Sequence, residues 1–195
     1  LWGLGIIAIY VVRLPVTYQH GRYIMPAISI LLVYGLLGFV RWWKETTDER
    51  KLWAVNRAWL MIIVILSAAF WVLGAQTYAE DVAIIEGEMV DIAEWTVDNI
   101  PEDALIAAHD IGALGYFGKH EIVDLAGLIS PEVIPFMRDE ATLAMFLDEK
   151  RVDYLITFID WYPELEAQAD LVYVTDTEIT REAGSTNMAV YKWGD

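Results

Sequence analysis

No cysteine occurs anywhere in the 195 residues. Disulfides, thiolate nucleophiles and thiolate metal sites are therefore excluded. The compartment stays open, because an oxidising environment permits disulfides without requiring them. Histidine is scarce as well. His20, His109 and His120 stand far apart with no HExxH-like spacing, so no metal site is expected. Positive charge is scarce in one part only. Residues 1–75 hold seven Lys/Arg against three Asp/Glu, whereas residues 76–195 hold six against twenty-six, a balance of +4 before −20. Such asymmetry implies two parts in two environments. A part this acidic repels nucleic acid, whose binding depends on neutralising phosphates, and it repels anionic lipid surfaces. Its charge serves solubility and spacing from a membrane.

Charge is missing altogether from three runs. Residues 1–12 carry none and end at Arg13. Residues 23–40 carry none between Arg22 and Arg41, and residues 58–78 carry none between Arg57 and Glu80. At about 1.5 Å per helical residue, the second and third match a hydrocarbon layer of about 30 Å. Tyr23, Trp42 and Trp43 flank one of them and Trp59 and Tyr78 the other, as interfacial anchors do. Residues 1–78 are thus expected to form a transmembrane region with helices near 1–12, 23–40 and 58–78. The connector 41–57 contains Arg41, Lys44, Arg50, Lys51 and Arg57. The positive-inside rule places it in the cytoplasm, and the loop from Arg13 to Arg22 and everything after Tyr78 outside. Leu1 begins inside an apolar run with no basic region before it, which is not the pattern of a signal peptide. The expectation is the C-terminal piece of a longer multi-pass protein of the cell membrane.

Residues 79–195 are expected to form an acidic extracytoplasmic α/β domain. Val82, Ile85, Met89, Ile92 and Thr96 recur at steps of three and four, with Glu86, Glu88, Asp91 and Glu94 between them, which predicts a helix over 80–99. Asn99 to Asp103 read as a stop and turn. Strands are expected at 104–109, 121–125 and 152–158, with β-rich segments at 171–175 and 188–193 split by the polar stretch 177–187. A short helix or turn falls at 111–117, and helices at 131–137 and 140–151. This alternation predicts a small, mostly parallel sheet with an antiparallel edge at its end. There is no internal repeat.

The segment from Asp110 to Gly118, with Asp124 closing the next strand, echoes a dinucleotide fingerprint. It fails in detail: His109 and Asp110 stand where the first glycine belongs, and the link between strands is too short for the usual crossover helix. Tight turns and close helix–sheet packing account for the glycines, and no cofactor is expected. His109, Asp110 and Asp124 could form a catalytic group at strand ends. Without a nucleophile nearby, such residues are more often a hydrogen-bonded structural pair.

The loop before the second apolar run reads Leu14-Pro15-Val16-Thr17-Tyr18-Gln19-His20-Gly21-Arg22-Tyr23-Ile24-Met25-Pro26. Its Gly-Arg-Tyr and following proline resemble an element late in the membrane part of GT-C type glycosyltransferases, of the protein mannosyltransferase and aminoarabinose transferase kind. The stretch DALIAAHDIGALGYFG with EIVDLAGLISPEV resembles the soluble C-terminal domain of bacterial members. The resemblance implies transfer of a sugar from a polyprenyl-phosphate carrier at the outer face. It also implies a catalytic acid in a first outer loop to which nothing here corresponds. Arg22, His20, Tyr18 and Tyr23 are then candidates for the lipid phosphate, its prenyl chain or the sugar. A guanidinium at the interface can grip a phosphate through two parallel hydrogen bonds. Arginine and tyrosine also flank membrane helices simply by snorkelling. The other reading of the chain is a non-catalytic membrane subunit whose outer domain docks on a larger complex. The expected partners are membrane lipid, a polyprenyl-phosphate sugar and, on that second reading, proteins of the complex.

Overall fold

The computed structural model describes residues 2–13, 24–45 and 49–194. The chain separates into two compact units, Leu1–Ala69 and Phe70–Asp195.

The first unit is helical. α1 (Trp2–Arg13) is followed by α2 (Met25–Glu45), and α3 (Glu49–Ile84) begins in this unit and continues into the second. Two helical runs, Met25–Glu45 and Glu49–Asn99, are long and apolar enough to cross a membrane. α1 packs on α2 with Tyr10 and Ala27 buried. The helices run past the uncharged windows: residues 41–45 belong to α2 and 49–57 to α3, so the expected 41–57 connector is largely helix. Residues 41–57 contain neither proline nor glycine, and Lys, Arg, Glu and Leu are good helix formers. Loss of hydropathy marks the end of an apolar span, not the end of a helix.

In the second unit α3 passes through one π-helical turn, Ile85–Val90, into α4 (Asp91–Asn99). The α/β part follows: β1 (Leu105–Ala108), α5 (Gly112–Phe117), β2 (Glu121–Asp124), a 3-10 turn at Pro131–Val133, α6 (Glu140–Lys150), β3 (Tyr154–Phe158), α7 (Pro163–Glu166), β4 (Asp170–Val174), α8 (Glu178–Glu182) and β5 (Met188–Lys192). The sheet order is β2-β1-β3-β5-β4. β1 pairs in parallel with β2 and with β3, while β5 pairs antiparallel with both β3 and β4. The sheet is therefore mixed, and the expected antiparallel edge is corrected. The antiparallel strand, β5, is interior, and β4 occupies the edge. A buried run such as Met-Ala-Val-Tyr at 188–191 suits a central position, whereas Asp170, Leu171 and Val172 stay exposed.

Alternation along the strands builds a core on each face of the sheet. Ala107, Val123, Leu155, Ala189 and Tyr191 pack against Leu143, Ala144 and Leu147 of α6. Ile106, Ala108, Ile156, Met188 and Val190 pack against Ile92 and Ala93 of α4 and Leu114 of α5. α6 starts where the Asp139 side chain accepts from the Thr142 N–H at 3.3 Å, and it ends with Arg151 left-handed at φ 59°. The expected 131–137 helix is confined to one turn, because Pro135 has no N–H with which to continue it.

The link between β1 and β2 carries only α5, yet it suffices for parallel neighbours. Of its glycines, Gly118 is the constrained one: a Cβ there would lie 2.3 Å from the Leu114 carbonyl oxygen. Gly112 and Gly115 have open space around them, so close packing does not account for those two.

Candidate functional site

β1 is flanked on both sides by parallel strands, and the chain moves from it first to β2 and later back across it to β3. The connections diverge at that point, with α5 on one face of the sheet and α6 on the other. In sheets of this type, ligands sit in the crevice at the carboxyl ends of the strands where the direction of connection reverses. Here β1 runs out into His109 and Asp110, and β3 runs out into Ile159, Asp160, Trp161 and Tyr162.

The two strand ends meet through His109, whose Nδ1 lies 2.7 Å from the Tyr162 hydroxyl. The Trp161 ring stands edge-to-face with the imidazole, their centroids 5.1 Å apart. A cleft of about 390 Å³ opens beside them, lined by His109, Met137, Arg138, Glu140, Trp161 and Tyr162. Its volume lies within the range of roughly 300–1,000 Å³ usual for small-molecule sites.

The loop that carries the aromatic pair is held at several points. The Tyr162 N–H donates to Glu166 Oε1 at 3.1 Å, and the Asp160 N–H donates to Glu166 Oε2 at 3.1 Å. Asp160 is left-handed at φ 69°, a conformation that Asp tolerates better than most residues. Glu140 accepts the N–H groups of Glu164 and Leu165 at 2.8 and 3.1 Å, pinning the start of α7 to α6. The Thr186 hydroxyl donates to the Ile159 carbonyl at 2.7 Å. Arg138 is exposed at the rim and has no ion pair or hydrogen bond among the described residues.

Burial, and then the nearby carboxylates of Glu140, Asp110 and Asp124, push the Tyr162 phenol up to about 12. It therefore keeps its proton at neutral pH, with its hydroxyl paired to His109 Nδ1. Nε2 of His109 has no hydrogen bond to any other described residue and is left as a polar atom for the cleft. Asp110 is raised above the usual carboxylate range by burial, with the His109 charge acting against that shift.

A family model, a domain of unknown function (DUF8728), matches residues 75–191, more than half of the chain. The chain belongs to the DUF8728 family. No curated protein and no solved structure matches it. The DUF8728 segment begins in α3, ends in β5 and takes in every residue that lines the cleft.

Within the DUF8728 segment, the structure divides the three residues expected at strand ends. His109 reaches the cleft and Asp110 follows it. The hydrogen bond expected within a His–Asp pair is replaced by one between His109 and Tyr162, 53 residues downstream. Asp124 is fully buried and occupied: Oδ1 accepts the Ala126 N–H at 2.8 Å and Oδ2 accepts the Ile129 N–H at 2.7 Å. It closes the loop after β2. Tyr18, His20, Arg22 and Tyr23 lie outside the described residues. Sequence reasoning missed Arg138, Trp161 and Tyr162. The available signal was Trp161-Tyr162-Pro163 directly after the buried β3 run, an aromatic pair at a strand end where the chain turns.

Sequence reasoning also missed Glu88, which sits in the π-helical turn and is fully buried. One oxygen accepts the Met188 N–H at 2.7 Å and a short hydrogen bond from the Thr175 hydroxyl, and the other accepts Asn187 Nδ2 at 2.7 Å. Thr177 donates to the neighbouring Gly87 carbonyl at 2.8 Å, and a Cβ on Gly87 would lie 2.7 Å from that hydroxyl. Glu88 is closed to solvent and ties the turn to the end of β4 and the start of β5. π-helical turns are frequent at functional sites, and this one acts as a structural clasp.

Proposed function

We propose that the chain is the C-terminal portion of a multi-pass glycosyltransferase that draws a sugar from a polyprenyl-phosphate carrier at the outer face of the membrane. One observation carries the membrane part of this reading. Residues 60–66 are all apolar and all exposed, and seven consecutive helical residues cover the whole circumference of α3. A surface helix of a water-soluble protein carries an apolar stripe, and a helix apolar all round needs protein or lipid on every side. The groove of about 570 Å³ between α2 and α3, lined by Leu32, Leu36, Phe39, Trp59 and Ile63 among others, would suit a prenyl chain. The α/β domain, on this reading, lies outside and holds a substrate at the cleft. Support for the enzyme class is the resemblance around Gly21-Arg22-Tyr23 and in the domain itself.

The role of Arg22 is tested by sugar transfer in the full-length enzyme at matched protein levels. Arg22→Ala should cost about 1–3 kcal/mol of transition-state stabilisation if a charged hydrogen bond is lost. Arg22→Lys should cost less, since lysine keeps the charge and loses only the planar fork. Arg13→Ala, at the end of α1, should leave transfer nearly intact. Equal and negligible effects at both arginines would make Arg22 an interfacial anchor.

The orientation has its own test. Protease added to intact spheroplasts should cut the region after Tyr78 and spare the basic residues from Arg41 to Arg57. A protected tail would reverse the topology.

A second reading, a non-catalytic subunit of a membrane complex, is favoured by exposed apolar residues on the acidic domain. Tyr116 is 82% and Leu128 77% exposed, with Ile129 and Ile134 near Leu128 in the chain. Absence of any sugar transfer by the full-length protein, together with a stoichiometric partner in the purified material, would select it.

A further inference from the structure

We propose that the cleft between the ends of β1 and β3 binds a neutral pyranose sugar, packed on Trp161 and hydrogen-bonded by His109 and Arg138. The choice of ligand comes from the walls. Trp161 is 46% exposed at the mouth, held by its loop in a fixed pose against Phe158 and His109. The negative face of an aromatic ring attracts the weakly positive C–H groups on one side of a pyranose. Around it stand planar polar groups: the Nε2 of His109, the guanidinium of Arg138, unpaired among the described residues, and the carboxylate of Glu140. Vicinal hydroxyls offer donors and acceptors together, and this set supplies both.

The same walls argue against other ligands. An apolar molecule would cover the guanidinium of Arg138 and the Nε2 of His109, neither of which has a hydrogen-bond partner among the described residues. A nucleotide would meet the carboxylate of Glu140, and His109 and Asp110 stand where the first glycine of a phosphate-binding turn belongs. No group of three His, Asp or Glu suited to a metal occurs among the described residues. The loop is also ordered before binding, through Glu166, Glu140 and Thr186, so little conformational entropy is lost on binding a sugar.

That the sugar belongs to an acceptor or to the transferred unit rests on the transferase reading. Binding itself does not, and so binding is what the experiment measures. The full chain in detergent is titrated calorimetrically with methyl glycosides of mannose, glucose, galactose, arabinose and N-acetylglucosamine, and with inorganic phosphate. At least one glycoside should bind with a Kd on the order of 1 mM, and phosphate should not. Trp161→Ala should weaken that binding about tenfold or more, the loss expected of a buried aromatic anchor. Arg138→Gln, at an exposed residue without partners, leaves the fold untouched and should weaken binding about threefold or more. Met145→Ala, an exposed apolar residue away from the cleft, should change nothing. The proposal is overturned if no glycoside binds, if phosphate alone binds, or if binding survives both Trp161→Ala and Arg138→Gln. Each of these outcomes can occur with sugar transfer intact, and loss of transfer on Arg22→Ala can occur with glycoside binding intact, so the two readings fail separately.

Discussion

Glu88→Ala should lower the unfolding free energy of the α/β domain by about 3–5 kcal/mol, placing it among the most damaging single substitutions. The carboxylate of Glu88 is the shared acceptor for the Thr175 hydroxyl, the Asn187 side-chain amide and the Met188 N–H. Truncation leaves these buried donors unmet at about 1–3 kcal/mol each, and it opens a cavity. The total falls short of the sum because the variant no longer buries a carboxylate without a cationic partner. Glu88→Gln should cost less. Its amide keeps the shape and one acceptor, but it turns an NH₂ toward a donor on one side. Glu86→Ala, an exposed residue in the same turn, should stay within about 0.5 kcal/mol. Chemical denaturation of the three variants in one detergent, followed by near-ultraviolet circular dichroism, gives the ranking. If Glu88→Ala unfolds with Glu86→Ala, the clasp contributes nothing.

Leu66→Arg should raise the apparent free energy of membrane insertion of α3 by about 3–4 kcal/mol. Leu66 lies near the middle of the 58–78 window, exposed, with Ile62, Ile63, Ala69 and Phe70 as its neighbours one turn away. At the centre of a span, Leu contributes about −0.3 to −0.6 kcal/mol and Arg about +2.5 to +3.5 kcal/mol. In a membrane-spanning α3 the position would be too deep for the guanidinium to reach either interface without deforming the bilayer. Lys51→Arg, in the basic first turns of α3, should be neutral. A glycosylation-mapping assay with α3 as the test segment reads both. A water-soluble helix would respond in the opposite sense, since an exposed arginine in place of an exposed leucine raises solubility. An α3 that needs no membrane for solubility, and is improved by Leu66→Arg, would remove the membrane reading and the lipid-carrier reading with it.

The two variants probe elements that differ in how openly they are written. The apolar window of α3 is legible because hydropathy is a local sum over some twenty side chains. Glu88 is hidden for a geometric reason. At a strict helical period, residues 82, 85, 89, 92 and 96 share one face, and Glu88 falls at its edge among the acidic residues that border it. The π-helical turn places one extra residue in the ladder and rotates the helix beyond it. Ile85 is consequently exposed at 46% while Glu88 is buried completely. The turn is stabilised by partners about ninety to a hundred residues downstream, at Thr177, Asn187 and Met188, and no local pattern announces them.

The same division holds at the cleft. Strands β1, β2 and β3 are evident as short apolar runs, so His109 and Asp124 could both be placed at strand ends from sequence. Their fates then diverge. Asp124 turns inward because its two oxygens satisfy backbone N–H groups of its own loop. His109 turns toward Tyr162 because β3 lies beside β1, a pairing that depends on which strand crosses the sheet.

By itself, the amino-acid sequence determined the partition into an apolar helical part and an acidic α/β part, the order of the main strands and helices, and the exclusion of cysteine chemistry. These follow from composition and from periods of two and three to four residues, which are properties of neighbours along the chain. Tertiary structure alone decided the interior place of β5, the burial of Glu88 and the meeting of His109, Arg138, Trp161 and Tyr162 around one cleft. Each of these depends on strand order and on hydrogen bonds between residues far apart in the chain, where the energy of a contact is set by three-dimensional neighbours that the linear pattern does not encode.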